Sequence, residues 1–382
     1  MRSVKKLLMG CMILLSLVSC SPDVREISDI ALVMITGIDF DAKTKTYTFT
    51  AYCILPTTTS TDKKTGNSNE WVASASGNSI MEATRNLRSR AGKMLIWQHD
   101  KFFIIGEQAA KYAMPQLVDF LTRNRDIRGS SYLIVSEGRV ANKLTIKGET
   151  NDLLANELLG KVLNERLWGK SLSMQLKDVT DYLADPYRGF ITSRLTAAQP
   201  ADKRQEVLYL NGGSVFHKGH FIGWMNGEKV IVVHLLTYGR GGLSKLEFPQ
   251  TFHLDHTQIT MLLRNPKRTI HYHEEKGKQK MTVDLNLQGV LMDSDKPLSF
   301  HSKDSIAKLE QTISSQLQET VNRNLYSIQK ELKVDVFGYS DFISKHDPKS
   351  WSTLKSQWGT IFPEMPIQVT VHIQVTSIGM KQ

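Results

Sequence analysis

Apolar residues along the chain switch between two spacings. Ile30 to Ile38 (IALVMITGI) is a dense apolar run of buried-strand length. From Thr46 to Ile54 the pattern alternates, with Tyr47, Phe49, Ala51 and Cys53 on one face and threonines opposite. DAKTKT between the two runs has the composition of a hairpin turn. The polar stretch 57–70 (TTTSTDKKTGNSNE) reads as a loop. The period then becomes helical. Ser79-Ile80-Met81-Glu82 has the capping-box form, and Ile80, Thr84, Leu87, Ala91 and Leu95 follow at helical spacing. Lys101 to Gly106 predicts a strand, Met114 to Leu121 a helix, and Ser131 to Ser136 a strand. Helices are expected over roughly 151–165 and 175–184, the second ended by Asp185-Pro186, because proline disfavours helix at the residue before it.

After the polar stretch 197–206, Leu208 to Phe216 reads as a strand that turns at Lys218-Gly219 into Phe221-Ile222-Gly223-Trp224. The most regular element follows Asp304. Ile306, Leu309, Ile313, Leu317, Val321, Leu325, Ile328 and Leu332 recur every three or four residues, a stripe of about 40 Å at 1.5 Å per residue. Ile367, Val369, Val371, Ile373 and Val375 alternate with polar residues, as in a half-buried strand. A long amphipathic helix and such a strand fit helix-on-sheet packing within the chain, with a coiled coil as the alternative. The expected fold class is α+β, multi-domain, with mixed sheets, packed helices and a C-terminal sheet covered by a long amphipathic helix. The expected units are an N-terminal α+β domain over 20–196 and a C-terminal α+β region over 207–382. The latter is either one unit or carries a smaller middle domain at about 207–270.

The first residues change the picture. Arg2, Lys5 and Lys6 precede twelve mostly apolar residues, Leu7 to Val18. That run is too short for the about 20 residues a membrane-spanning helix needs, and has the size of a signal-peptide core. Leu17-Val18-Ser19-Cys20 ends it. This resembles the bacterial lipobox, with residues 1–19 as signal peptide and Cys20 as the lipidated residue. A plain secretory signal with an incidental cysteine is the alternative. Two acyl chains anchor stably where one does not. Removing residues 1–19 from the 382 leaves 363, and takes three of the ten net positive charges, so about +7 remains. Basic residues are interspersed with acidic ones, which argues against nucleic acid as a partner and suits weak attraction to anionic headgroups. Of three cysteines, Cys11 leaves with the signal and Cys20 is lipidated. Cys53 remains alone, so no intramolecular disulfide is expected, and it reads as a small buried hydrophobe.

Candidate chemistry is sparse. There is no P-loop, no G-x-G-x-x-G after a strand, no G-x-S-x-G and no H-E-x-x-H. Seven of eleven histidines fall between His217 and His273. His271 and His273, two apart on a strand, would share a face, with Glu274 beside them and His253 and His256 as further ligands. Zinc needs three or four convergent ligands, which this spacing permits without requiring. An exposed polar strand face is the plainer reading, and no metal or cofactor is expected. Arg85, Arg88 and Lys93 lie off the helical stripe, as on a solvated face. Trp351 and Trp358, seven apart beside apolar residues, read as core before contact surface.

Several motifs together carry a resemblance. Arg25-Glu26-Ile27 follows Cys20, and Gly37-Ile38-Asp39 ends the first apolar run. His99 precedes Phe102-Phe103-Ile104-Ile105-Gly106-Glu107, and Arg123 to Arg128 is an arginine-rich turn. Gly212-Gly213-Ser214-Val215-Phe216 and Gly223-Trp224 follow. The tail has Asp335-Val336-Phe337-Gly338, Trp351, Trp358, Ile361-Phe362-Pro363 and Pro366. In this order they resemble the C subunits of spore germinant receptors, the Ger(x)C lipoprotein family, nearly end to end. Ser21 and Pro22 stand where that family commonly has a tryptophan, Asn124 and Arg125 depart from its turn, and the cluster at His271 to Glu275 is outside its pattern. The resemblance implies a three-domain, non-catalytic body. It would be held by a diacylglyceryl anchor at Cys20 on the outer face of the spore inner membrane. It would assemble with the A and B membrane subunits into a nutrient receptor that triggers germination. Two other readings stand beside it: a lipoprotein that binds a solute and delivers it to a membrane transporter, and an exported metal-dependent hydrolase using the histidines.

Overall fold

In the computed structural model, residues 26–56, 69–150, 152–202, 205–239, 245–275, 277–296 and 303–377 are described. The expected signal segment 1–19, Cys20 and most of the expected loop 57–70 lie outside them.

The apolar run at residue 30 becomes strand β1 (Ile30–Asp41), paired antiparallel with β2 (Thr46–Ile54), which pairs in turn with β3 (Glu70–Gly77). Helix α1 (Ile80–Ala91) follows, capped by Ser79 as expected, while the Glu82 side chain reaches one residue further back than a capping box does. Ser79 Oγ accepts from the Glu82 N–H at 3.1 Å, and the Asn78 N–H donates to Glu82 Oε2 at 2.8 Å. The helix stops sooner than the stripe predicted. Gly92 adopts φ 61, a left-handed cap that glycine takes without penalty. Leu95 therefore sits in strand β4 (Met94–Ile96), parallel to the start of β1. Then come β5 (Phe102–Gly106), α2 (Glu107–Tyr112), α3 (Met114–Arg123), β6 (Tyr132–Ser136), α4 (Leu154–Leu163), β7 (Met174–Gln175), α5 (Leu176–Ala184) and β8 (Phe190–Ala198).

Strands β1, β5, β6 and β8 run parallel in the middle of one ten-stranded sheet. Helical crossovers cover both faces, which is why β5 reads as continuous apolar sequence and is buried throughout. The polar stretch 197–206 connects β8 to β9 (Val207–His217), and the two are antiparallel neighbours in that same sheet. Strand β10 (His220–Met225) pairs with β9 through the predicted Lys218-Gly219 turn and forms one sheet edge.

Helix α6 (Gly227–Leu236) has no counterpart in the sequence reading. It is buried on nearly every side, so it shows no polar face, and its run of Val and Ile mimics a strand. Its start is nonetheless marked: Asn226 Oδ1 accepts from the Lys229 N–H at 2.9 Å. Strands β11 (Glu247–Leu254), β12 (Thr257–Glu275) and β13 (Lys278–Ser294) form an antiparallel meander, also unassigned from sequence apart from the strand carrying His271 and His273.

Helix α7 (Lys303–Ser327) then crosses the sheet and returns the chain to β14 (Ile367–Ser377), parallel to β13. Leu309, Ile313, Leu317, Val321 and Leu325 are buried in one cluster with Val283 and Leu285 of β13 and Val369, Val371 and Ile373 of β14. The adjoining helix row seals the sheet edge. The Val371, Ile373 and Val375 N–H groups donate to Gln318 Oε1 (3.1 Å), Ser314 Oγ (2.9 Å) and Glu310 Oε1 (2.7 Å). Unpaired edge donors invite another strand, and here helix side chains occupy them. The helix ends in a π-helical turn, Ile328–Leu332, stopped by Lys333 at φ 54. Between it and β14 lie α8 (Tyr339–His346), α9 (Pro348–Leu354) and α10 (Trp358–Ile361).

Candidate functional site

One contact between the two halves of the chain is built around Asp335. Its side chain is buried, and Oδ1 accepts from the N–H groups of Phe337 (3.1 Å), Gly338 (2.9 Å) and Tyr339 (3.2 Å), while Oδ2 accepts from the Ser340 N–H (2.7 Å). This carboxylate thereby holds the turn that starts α8, where Gly338 takes φ 77. Burial pushes the Asp335 carboxyl above its ordinary value; the backbone donors and the Arg188 charge pull the other way. Arg188 comes from the first half of the chain. It donates from Nη1 to Asp341 at 2.6 Å, and the Gly189 N–H donates to the Asp335 carbonyl at 3.0 Å. The turn Asp185 to Arg188 is itself set by Asp185 Oδ1, which accepts from the Tyr187 (2.7 Å) and Arg188 (3.0 Å) N–H groups. A Cβ on Gly338 would lie 2.7 Å from the Arg188 guanidinium carbon, and one on Gly189 would lie 2.2 Å from Val334. Both glycines are required by this close approach.

Beside this joint is a cleft of about 440 Å³. Tyr187, Val334, Trp358 and Phe362 line it together with His217, Lys218, Lys333 and Lys355. Its aromatic wall continues from ring to ring: Tyr187 meets Trp351 edge-on at 5.0 Å, Trp351 meets Trp358 at 5.4 Å, and Trp358 meets Phe362 at 5.8 Å. Among the described residues the only carboxylate in the lining is that of Asp335, already occupied by the backbone.

The motifs read from the sequence fall into place at structural joints. Asp39 of Gly37-Ile38-Asp39 accepts from the N–H groups of Val140 (2.9 Å) and Ala141 (3.0 Å). A Cβ on Gly106 would come within 2.1 Å of Asp39 Oδ1, so only glycine fits there. Asp100, after His99, is buried. Its carboxylate accepts from Thr36 Oγ1 (2.5 Å) and the Phe102 N–H (3.2 Å), and burial pushes its pKa up to about 7. Trp358 is buried and Trp351 partly so, consistent with a core reading. Cys53 is fully buried, and burial pushes its thiol up to about 12. Arg88 lies over the Trp97 ring at 5.1 Å.

The described histidines do not gather. His271 and His273 share an exposed strand face with ring centroids 6.2 Å apart, and His273 Nε2 pairs with Thr282 Oγ1 at 3.2 Å. His234 is buried on α6, its Nε2 donating to the Ser171 carbonyl at 2.9 Å, while His217 bonds the Pro186 carbonyl at 3.2 Å. No group of three or more metal-ligating side chains is found among the described residues. The cleft itself was not foreseen: its lysines are ordinary surface residues in sequence, and only the fold brings residues 187, 218, 333 and 355 together.

The body is thus a mixed one of two sheets, the second covered by a long helix. Residues 23–197 match the family model described as the spore germination protein N-terminal domain, and residues 211–379 the model described as spore germination B3/GerAC like, C-terminal. The chain belongs to this family, that of the germinant receptor C subunits. It is similar along 99% of its length to three proteins of Bacillus subtilis (strain 168): putative spore germination protein YfkR (24% identity, 98% of that protein), spore germination protein KC (23%, 97%) and spore germination protein B3 (22%, 99%). The crystal structure of the GerBC protein shares the fold, with a TM-score of 0.59 at 17% identity over 89% of this chain and 96% of that one.

Proposed function

We propose that this chain is the lipid-anchored, non-catalytic C subunit of a nutrient germinant receptor, held at the outer face of the spore inner membrane and assembled with A and B subunits. The observation that carries this reading is the match of both halves to spore germination families over nearly the whole chain. Other features agree with it. Cys20 ends a short signal-like apolar run, and no helix among the described residues is long and apolar enough to cross a membrane. Glu26, where the described body starts, is only six positions after Cys20. At no more than about 3.6 Å per residue, the anchor keeps the body within roughly 20 Å of the bilayer. Confinement to that plane raises its effective concentration near membrane partners.

The test is nutrient-triggered germination of spores lacking this gene and redundant receptors, re-supplied with wild type or Cys20→Ala. Rescue by wild type and marked weakening with Cys20→Ala is expected. Deletion that leaves every nutrient response intact would overturn the receptor reading, and full rescue by Cys20→Ala would overturn the anchor.

A further inference from the structure

The cleft beside the Asp335 joint has the chemistry of a binding site, and we propose that it takes a small organic anion, a carboxylate carried on an apolar or aromatic body. Four observations support this. Its volume of about 440 Å³ lies in the range of small-molecule pockets, roughly 300–1,000 Å³. Three of its lining cations, Lys218, Lys333 and Lys355, have exposed side chains and no ion pair or side-chain hydrogen bond among the described residues. Elsewhere lysines near this joint are paired, Lys229 with Glu331 at 2.9 Å and Lys330 with Glu364 at 2.6 Å. The fourth observation is Trp358. It is 2% exposed and lines the cleft, and its indole Nε1 has no hydrogen-bond partner among the described residues. A buried tryptophan N–H ordinarily finds an acceptor, and this one, closed to solvent behind the cleft wall, has none among the described residues.

The donors and the apolar surface are complementary in a specific sense. Lysine ammoniums and an indole N–H only donate, so they recognise an acceptor that is negatively charged. His217 spends its Nε2 on the Pro186 carbonyl, so that nitrogen is not turned to a ligand. The carboxylate of the lining, Asp335, has both oxygens satisfied by backbone N–H groups and adds little repulsion beyond its charge, which Arg188 offsets. Half-buried Tyr187, backed by the buried rings of Trp358 and Phe362, supplies apolar surface that inorganic phosphate would not use. A ligand here would touch Tyr187 from the first half and Lys333 and Trp358 from the second, and so bridge the two halves at this joint.

The experiment is isothermal titration of the full mature chain in detergent with 3-phenylpropionate, and in parallel with its neutral amide, 3-phenylpropionamide. Saturable binding of the acid in about the millimolar range, weakened by added salt, is expected, with the amide at least about ten-fold weaker. Lys333→Gln with Lys355→Gln lowers affinity for the acid by roughly ten-fold or more, whereas Lys333→Arg with Lys355→Arg retains it. Trp358→Phe, which keeps a ring and removes the N–H, weakens the acid by several-fold. Circular dichroism confirms that each variant is folded; both lysines are on the surface, so the double variant stays informative even if Trp358→Phe unfolds. No binding of the acid at millimolar concentration, equal binding of the amide, or an unchanged double Gln variant would each overturn the proposal. The titration reads the isolated chain, so its outcome is separate from any germination phenotype.

Discussion

Asp335→Ala removes one acceptor and orphans four donors. In the native joint its two oxygens serve the N–H groups of Phe337, Gly338, Tyr339 and Ser340, and the side chain is 2% exposed. Alanine leaves those N–H groups buried without an acceptor, at about 1–3 kcal/mol for each group that water cannot reach. It also strips Arg188, itself 5% exposed, of one neighbouring negative charge, while Asp341 remains at 2.6 Å. Breaking one side of a buried charged arrangement typically costs about 3–5 kcal/mol, so that is the expected loss. Asp335→Asn keeps one carbonyl oxygen for the three N–H groups now on Oδ1 and presents an NH₂ to Ser340, so about 1–3 kcal/mol is expected. Urea unfolding followed by tryptophan fluorescence measures both, and amide exchange at residues 337–340 localises the effect. Exchange there should accelerate in the alanine variant well before the long strands of either sheet respond. An alanine variant within about 0.5 kcal/mol of wild type, with those amides still protected, would refute the reasoning, because the carboxylate would then not be holding the turn.

Three further outcomes follow from buried groups. Gly106→Ala forces a methyl onto Asp39 Oδ1, so it should destabilise by about 2–4 kcal/mol, and Asp39→Ala in the same chain should make the second loss much smaller than additive in a double-mutant cycle. Cys53, with its thiol pushed up to about 12, should resist iodoacetamide at pH 8 in the folded chain and react once urea unfolds it; rapid alkylation under native conditions would contradict its burial. Asp100 has its carboxyl raised from 3.8 to about 7 by burial, so the folded state binds this proton more tightly than the unfolded one. The stability linked to it is complete below pH 3.8 and is lost as pH rises through about 7. Asp100→Asn should therefore show a shallower decline between about pH 4 and 7 than wild type, and identical pH slopes in denaturant unfolding would exclude the assignment.

Much of the architecture was legible because amphipathic elements write their burial into their spacing. The stripe from Leu309 to Leu325 and the alternation from Ile367 to Val375 specified a helix lying on a strand, and both are found in one buried cluster. The helix cap at Ser79 and the turn at Lys218-Gly219 were readable for the same local reason. Elements buried on all sides, or ended by a single backbone torsion, were not. Helix α6 has no polar face to reveal its period, and Gly92 ends α1 although the apolar stripe continues to Leu95. What only the tertiary structure decided is which distant residues become neighbours. Asp335, 147 positions after Arg188, had no sequence feature tying the two together, yet one carboxylate, one guanidinium and two glycines form a joint between the halves. The lysines of the adjoining cleft are likewise unremarkable until chain closure sets them around Trp358, because proximity across a fold comes from packed sheets and not from any local pattern.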